Sequence, residues 1–116
     1  MSNLVIQALG GTVVRWEPLG KEALRKATKS VFGIDGIPTY SLDQAETVLS
    51  FGADFLSTWG GPDHHKGYAD GRNPDMCGFI SQFWTVEPRL SNTSVNADIH
   101  LSAAPGTEAG VALAVA

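Results

Sequence analysis

Cysteine and basic residues are scarce in this sequence. Cys77 is the single cysteine among 116 residues, and one thiol can form neither an internal disulfide nor the ligand set of an iron–sulfur cluster. Eight lysines and arginines stand against twelve aspartates and glutamates, which gives a formal net charge of −4. Because nucleic acids and anionic membranes are bound through basic surface, this balance argues against nucleic acid as a partner.

Long hydrophobic runs and targeting signals are also lacking. No apolar stretch approaches the roughly 20 residues that a membrane-spanning helix needs, so we expect no direct membrane insertion. The first residues, MSNLVIQALGG, have neither the basic start nor the cleavage site of a signal peptide. The length of the chain predicts a single domain over residues 1–116 that buries roughly two thirds of the surface of its unfolded chain.

The familiar signatures of catalysis are missing as well. No G-x-G-x-x-G follows a predicted strand and no G-x-x-x-x-G-K-[ST] occurs, which disfavours a simple dehydrogenase or a phosphate-loop enzyme. His64 and His65 are neighbours that point about 100 degrees apart on a helix, so they are poorly placed to share a metal ion. No serine has a base at a recognisable spacing. We therefore predict no catalytic residue and no metal site.

Strand-like and helix-like patterns alternate along the chain. Three segments are rich in β-branched, aromatic or other apolar residues and are predicted as strands: 12–16, 47–51 and 79–86. Helices are predicted between them at 21–32 and 62–70, and a short extended piece near 98–102 precedes a final helix in GTEAGVALAVA. This alternation predicts a three-layer α/β fold, in which a parallel sheet carries helices on its faces.

Ligands of open parallel sheets bind at the carboxyl ends of the strands. In this sequence those places are residues 52–61, residues 87–93 and the turn at 105–106, all rich in glycine, proline and short polar residues. Glycines in a loop between a strand and a helix let backbone N–H groups approach an anion closely. The same glycines could equally make only tight connections, and both interpretations stay open.

Two segments, VLSFGADFLSTWGGP and VEPRLSNTSVNADIHLSAAPGTEAGVALAVA, resemble the molybdopterin oxidoreductases. These are the enzymes of bis-molybdopterin guanine dinucleotide, which include dimethyl sulfoxide reductase, formate dehydrogenase and polysulfide reductase. The family pattern is a Gly-x-Asn/Asp loop, a strand ending in Asp-Pro-Arg, an Ala-Asp, and a Pro-Gly-Thr-Asp that opens a helix. Its counterparts here are Gly52-Ala53-Asp54, Glu87-Pro88-Arg89, Ala97-Asp98 and Pro105-Gly106-Thr107-Glu108.

The resemblance is closest to the branch of quinone-linked complexes that includes the large subunit of alternative complex III. The chain departs from the pattern at Glu87 and Glu108, where aspartate is commoner. It also carries the pair Gly60-Gly61, which has no counterpart in that pattern.

This resemblance implies a Rossmann-like fragment of a larger oxidoreductase, whose third domain holds the guanine dinucleotide part of a molybdopterin cofactor. It implies that the acid after Pro-Gly-Thr holds the guanine, since a carboxylate can accept from both N1–H and the 2-amino group. The cofactor-binding residues that it implies are Gly52, Ala53, Asp54, Thr58, Val86, Glu87, Pro88, Arg89, Pro105, Gly106 and Glu108.

The expected partners are the remaining domains of the parent protein, an iron–sulfur electron-transfer subunit and a membrane quinone subunit. The parent is expected to be bacterial and membrane-associated, on the periplasmic or the cytoplasmic face. The isolated chain is expected to turn over no substrate and to hold no cofactor alone. Two rival interpretations are a noncatalytic scaffold that has lost the cofactor and a free-standing nucleotide-binding protein.

Overall fold

A computed structural model describes residues 10–12 and 20–116 of the chain. The chain divides into two compact units, Met1–Pro38 and Thr39–Ala116, which are treated separately below. Apart from Thr12, the strand predicted at 12–16 lies outside the described residues. That strand and the single-domain organisation therefore stay predictions.

The described part of the first unit is dominated by helix α1, Glu22–Phe32. It ends at Gly33, whose left-handed φ of 71° lets its N–H reach the Lys29 carbonyl at 3.0 Å. An ion pair joins Lys26 to Glu22 one turn apart, and Thr28 is the one residue of the helix that is buried. The predicted helix at 21–32 is thus confirmed to within one residue.

The second unit contains three parallel strands: β1 Thr47–Phe51, β2 Gln82–Glu87 and β3 Ile99–Ser102. The central strand is β2, which pairs with β1 on one side and β3 on the other. The prediction for 47–51 is confirmed at both ends, and the extended piece near 98–102 is the third strand. The prediction for 79–86 is wrong at its start, because Gly78 takes a left-handed φ of 76° and residues 79–81 lie outside the ladder.

Helices connect these strands. A single 3-10 turn, Leu42–Gln44, precedes β1, while α2 (Pro62–Gly71) and the short α3 (Pro74–Cys77) join β1 to β2. A four-residue helix, α4 Asn92–Val95, joins β2 to β3, and α5 (Glu108–Val115) follows β3. The helix predicted at 62–70 is confirmed, and its proline occupies the first turn, where its missing N–H costs nothing.

The core lies on the face of the sheet that carries Phe83 and Thr85, both fully buried. The rings of Phe55 and Tyr68 each pack edge-on against Phe83 with centroids 5.4 Å away. Because Tyr68 belongs to α2, this helix covers that face of the sheet.

The opposite face carries Leu49, Trp84 and Leu101, and with Val111 and Val115 of α5 they line an apolar groove of about 320 Å³. Helices thus lie on both faces of the parallel sheet, which confirms the three-layer α/β fold for the second unit. Within the described part of the chain, no helix is both long enough and apolar enough to span a membrane.

Candidate functional site

The three loops that the sequence singled out come together at one edge of the sheet. All three strands are parallel, so their carboxyl ends share that edge. The Gly52 N–H, just after β1, donates to the Val86 carbonyl at 3.1 Å, and the Ala103 N–H, just after β3, donates to the Glu87 carbonyl at 3.3 Å. The ends of β1, β2 and β3 are therefore joined by backbone hydrogen bonds.

Gly52 makes the turn that leaves β1. Its φ of 66° lies in the left-handed region, which a residue with a side chain adopts only at a cost. A Cβ atom placed on Gly52 would lie 3.9 Å from the Cγ atom of Glu108, so this turn is adjacent to the first residue of α5. The Ser50 hydroxyl donates to the Ala53 carbonyl at 3.3 Å and helps to fix the turn.

The Asp54 carboxylate joins the loop after β1 to helix α4 through hydrogen bonds. Its Oδ1 atom accepts from the Thr93 hydroxyl at 2.6 Å and from the Thr93 N–H at 3.3 Å. The Asp54 carbonyl accepts from the N–H groups of Thr58 and Trp59, at 3.0 and 2.9 Å. Oδ1 of Asp54 is therefore committed to bonds within the protein. Thr58, in the same loop, is exposed.

Glu87, the last residue of β2, has a carboxylate that is only half satisfied. Glu87 is 3% exposed, and its Oε2 atom accepts from the Ser94 hydroxyl at 2.7 Å. Its Oε1 atom is also buried and has no hydrogen-bond partner within the residues that the structure describes. An unpartnered buried carboxylate oxygen costs free energy, so this geometry calls for an additional donor.

The short helix α4 supplies the hydroxyl groups around these two carboxylates. Ser91 is its N-cap residue and accepts from the Ser94 N–H at 3.1 Å. Ser91, Thr93 and Ser94 are all buried. Sequence reasoning missed all three as site residues; the one available signal was Ser91 itself, since serine is a favoured N-cap residue.

The turn before α5 positions Glu108. Gly106 has a left-handed φ of 83°, and Pro105 before it is exposed. Thr107 is the N-cap residue, but its hydroxyl donates to the Ala104 carbonyl at 2.6 Å and does not cap the helix. Glu108 itself is half-buried in the first turn, where a carboxylate interacts favourably with the helix dipole.

Val86, Pro88 and Arg89 play different parts at the end of β2. Val86 is 2% exposed and its side chain lines the apolar groove, so only its backbone, bonded to Gly52, reaches the turn. Pro88 and Arg89 are exposed. Among the described residues, Arg89 makes no ion pair, so its guanidinium is available to an anion.

Asp98, the acid of the Ala-Asp pair, lies at the opposite edge of the sheet. It forms a two-pronged ion pair with Arg72, with both N–O distances at 2.7 Å, and accepts from the Phe83 N–H at 2.8 Å. The hydrogen bonds from Arg72, then that from Phe83, lower the pKa of Asp98 to about 2 against a weaker opposing effect of burial. Asp98 therefore bonds Arg72 and β2 at the amino end of β3, not at the carboxyl ends of the strands.

The two adjacent histidines have separate partners. His64 Nδ1 accepts from the Gly61 N–H at 3.2 Å, and His65 Nε2 lies 3.0 Å from the Phe55 carbonyl oxygen. A Cβ atom on Gly60 would lie 2.1 Å from that same oxygen, so the close approach of two backbone segments requires glycine there. Within residues 10–12 and 20–116, no cluster of histidine, cysteine, aspartate or glutamate could hold a metal ion.

Comparisons with known proteins add a distant relationship. No protein-family model matches the chain. The chain is 31% identical over 86 residues to the menaquinone reductase, molybdopterin-binding-like subunit of Nitratidesulfovibrio vulgaris (strain Hildenborough). The matched segment makes up 74% of this chain and 12% of that subunit, so the chain spans about an eighth of the relative's length. This partial similarity supports a relationship of the chain to the molybdopterin oxidoreductases, the family that its motifs resemble.

Proposed function

We propose that this chain holds the guanine nucleotide part of a molybdopterin guanine dinucleotide within a longer oxidoreductase. The observation that carries the proposal is the buried Glu87 carboxylate, whose Oε1 atom has no partner among the described residues at the edge where ligands of parallel sheets bind. The similarity to a molybdopterin-binding-like subunit supports the choice of cofactor.

The residues at this edge fit the donors and anions of such a nucleotide. Glu87 and Glu108 carry acceptor-only side chains, which suit the ribose hydroxyls and the N1–H and 2-amino groups of guanine. Carboxylates repel phosphate, so we assign the phosphates to the exposed guanidinium of Arg89, two residues after Glu87. The turn at Gly52, which has a positive φ, lies next to the Glu108 side chain.

The chemistry of the complete protein belongs to the cofactor's metal, and the part of this chain is to bind and orient the nucleotide. The chain alone is proposed to turn over no substrate. Its partners are proposed to be the other domains of the parent, an iron–sulfur subunit and a membrane quinone subunit. The menaquinone reductase named for the relative supports a bacterial, quinone-linked assembly.

A scaffold without cofactor is the second candidate function. It is favoured by one observation: the loop after β1 is closed by the bonds of Asp54 to Thr93, so it keeps its shape without help from a ligand. Under this alternative the fold serves only the assembly of a respiratory complex. The two candidates differ in whether the purified protein contains nucleotide.

The test uses the full-length protein that contains this chain, purified without oxygen. We expect the purified protein to contain pterin and metal, and close to one guanine nucleotide for each nucleotide-binding site that this fold forms. Glu87→Gln and Glu108→Gln keep the shape of the side chains but replace an acceptor oxygen by a donor, so each should lower the nucleotide content. Glu46→Gln makes the same chemical change at an exposed glutamate just before β1 and serves as the control.

Two outcomes would contradict the proposal. Wild-type protein that lacks pterin, guanine nucleotide and metal together would favour the scaffold. Unchanged guanine nucleotide content in both site variants would reject the binding role of the two carboxylates, even if the protein holds the cofactor elsewhere.

A further inference from the structure

We propose that Ser94 is the positioning residue that aims the free oxygen of Glu87 at its ligand. This inference rests on the proposed function and deepens it, because it names the group that sets the specificity of the same site. The Ser94 hydroxyl donates to Glu87 Oε2 at 2.7 Å, and both residues are 3% exposed. No nucleotide-binding role follows for Ser94 itself, since its hydrogen is committed to Glu87.

The hydroxyl of Ser94 is itself held at a fixed point. Its backbone N–H donates to the Ser91 hydroxyl at 3.1 Å, and the two hydroxyl oxygens lie 3.3 Å apart. The preceding residue, Thr93, is tied to Asp54 by two hydrogen bonds across 39 positions of sequence. The short helix α4 is therefore fixed both by its own N-cap and by the loop after β1.

A fixed donor matters at this position because glutamate has one more rotatable bond than aspartate. A carboxylate at the end of a longer side chain has more orientations to lose when it binds a ligand. This loss of conformational entropy weakens binding unless the side chain is already fixed in the free protein. One oxygen held by Ser94 leaves the other in a single direction. The site is thus set in advance for a ligand that presents hydroxyl or N–H donors, such as a nucleoside.

If Ser94 had only a structural role, its variants would change melting temperature and nucleotide release differently than if it positions Glu87. Ser91→Ala removes a buried hydroxyl from the same helix and takes away its N-cap, so it should lower the melting temperature of the protein. Because Ser91 contacts Ser94 but not Glu87, its loss should speed nucleotide release less than the loss of Ser94 does. Ser94→Ala should instead speed the release of guanine nucleotide about tenfold, the loss expected for a hydrogen bond to a charged group.

The decisive experiment is a double-mutant cycle of Ser94→Ala with Glu87→Gln in the full-length protein. Its readout is the rate at which guanine nucleotide leaves the purified protein after dilution, with the melting temperature of each variant measured alongside. If Ser94 acts through Glu87, its effect disappears in the Glu87→Gln background. Ser94→Thr retains the hydroxyl, so it should restore slow release at least in part.

The outcomes separate this inference from the proposed function. If Glu87→Gln alone leaves nucleotide release unchanged, the binding role of Glu87 is wrong and the inference falls with it. If Glu87→Gln speeds release but Ser94→Ala does not, or if the two effects simply add, the binding role stands and the positioning role is overturned. Release from Ser91→Ala as fast as from Ser94→Ala would likewise overturn it, because general loosening of α4 would then explain both.

Discussion

An acidic residue lies at each end of the parallel strands: Asp98 just before the amino end of β3, and Glu87 at the carboxyl end of β2. The two acids differ in how many hydrogen bonds their oxygens accept. At the amino edge, both oxygens of Asp98 are engaged by Arg72, and one also accepts the Phe83 N–H. At the carboxyl edge, Glu87 is more deeply buried, faces no cation among its hydrogen-bond partners and uses only one oxygen. We assign a stabilising role to the saturated acid, whereas the unsaturated buried acid is the one that we propose as a ligand-binding group.

Removing Asp98 should have the largest effect on stability. Asp98→Ala leaves Arg72 without its ion pair and the backbone N–H of the buried Phe83 without its acceptor. We expect the free energy of unfolding to fall by about 2 kcal/mol, after allowance for the solvent that screens the ion pair. Chemical denaturation checks this value, and a loss no larger than that of an exposed control such as Asp63→Ala would contradict it.

Thr93→Val should have the next largest effect, now at the carboxyl edge. Valine keeps the shape of the fully buried side chain but leaves Asp54 Oδ1 and the Leu56 N–H without the Thr93 hydroxyl. We expect about 1.5 kcal/mol lower stability by chemical denaturation. Ser57→Ala, an exposed change in the same loop, is the control and should cost almost nothing.

The pH dependence of stability sharpens the contrast between the two edges. Because the pKa of Asp98 is lowered from 3.8 to about 2, its contribution is complete above the unfolded pKa and is lost as the pH falls through that range. Asp98 is 41% exposed, so we expect a contribution of about 1 kcal/mol. The difference in unfolding free energy between wild type and Asp98→Asn should therefore shrink between about pH 4 and pH 2. A difference that stays constant would contradict this assignment.

The turn at Gly52 should show a smaller effect than Thr93→Val. Gly52→Ala forces a residue with a side chain into a left-handed conformation and should cost about 1 kcal/mol. Gly36→Ala is the control, since Gly36 has no positive φ and a Cβ atom added there would meet only Ile34 Cγ2, at 3.9 Å. Equal melting temperatures for the two variants would contradict this expectation, because the Gly52 turn would then accommodate a side chain without a cost in free energy.

The elements with strong sequence patterns were predicted well. The run of apolar residues at 47–51 and the proline that opens α2 gave the right elements within one residue. The strand predicted at 79–86 began too early, because residues 79–81, which follow the left-handed Gly78, lie outside the ladder. Helix α4 escaped prediction, since four residues of mostly polar, weakly helical character carry no helical period.

The roles of the acids could be predicted only in part. The predicted parallel strands placed Gly52 and Glu87 at the carboxyl ends of the strands, and the family resemblance added Glu108. Asp54 belongs to the same pattern, yet its partner Thr93 lies 39 positions away, and no local signal joins them. Which oxygen of Glu87 stays free depends on the same long-range packing of α4 against β2.

The most direct test of the account compares guanine nucleotide content in Glu87→Gln and Asp98→Asn variants of the full-length protein. We expect Glu87→Gln to lose most of its nucleotide while its unfolding free energy without nucleotide stays within about 0.5 kcal/mol of wild type, because glutamine has nearly the same shape and its carbonyl oxygen can still accept from the Ser94 hydroxyl. Asp98→Asn should show the reverse: lower stability, with wild-type nucleotide content in the folded fraction. Full nucleotide content in Glu87→Gln, or loss of nucleotide from folded Asp98→Asn, would contradict the assignment of binding to the carboxyl edge.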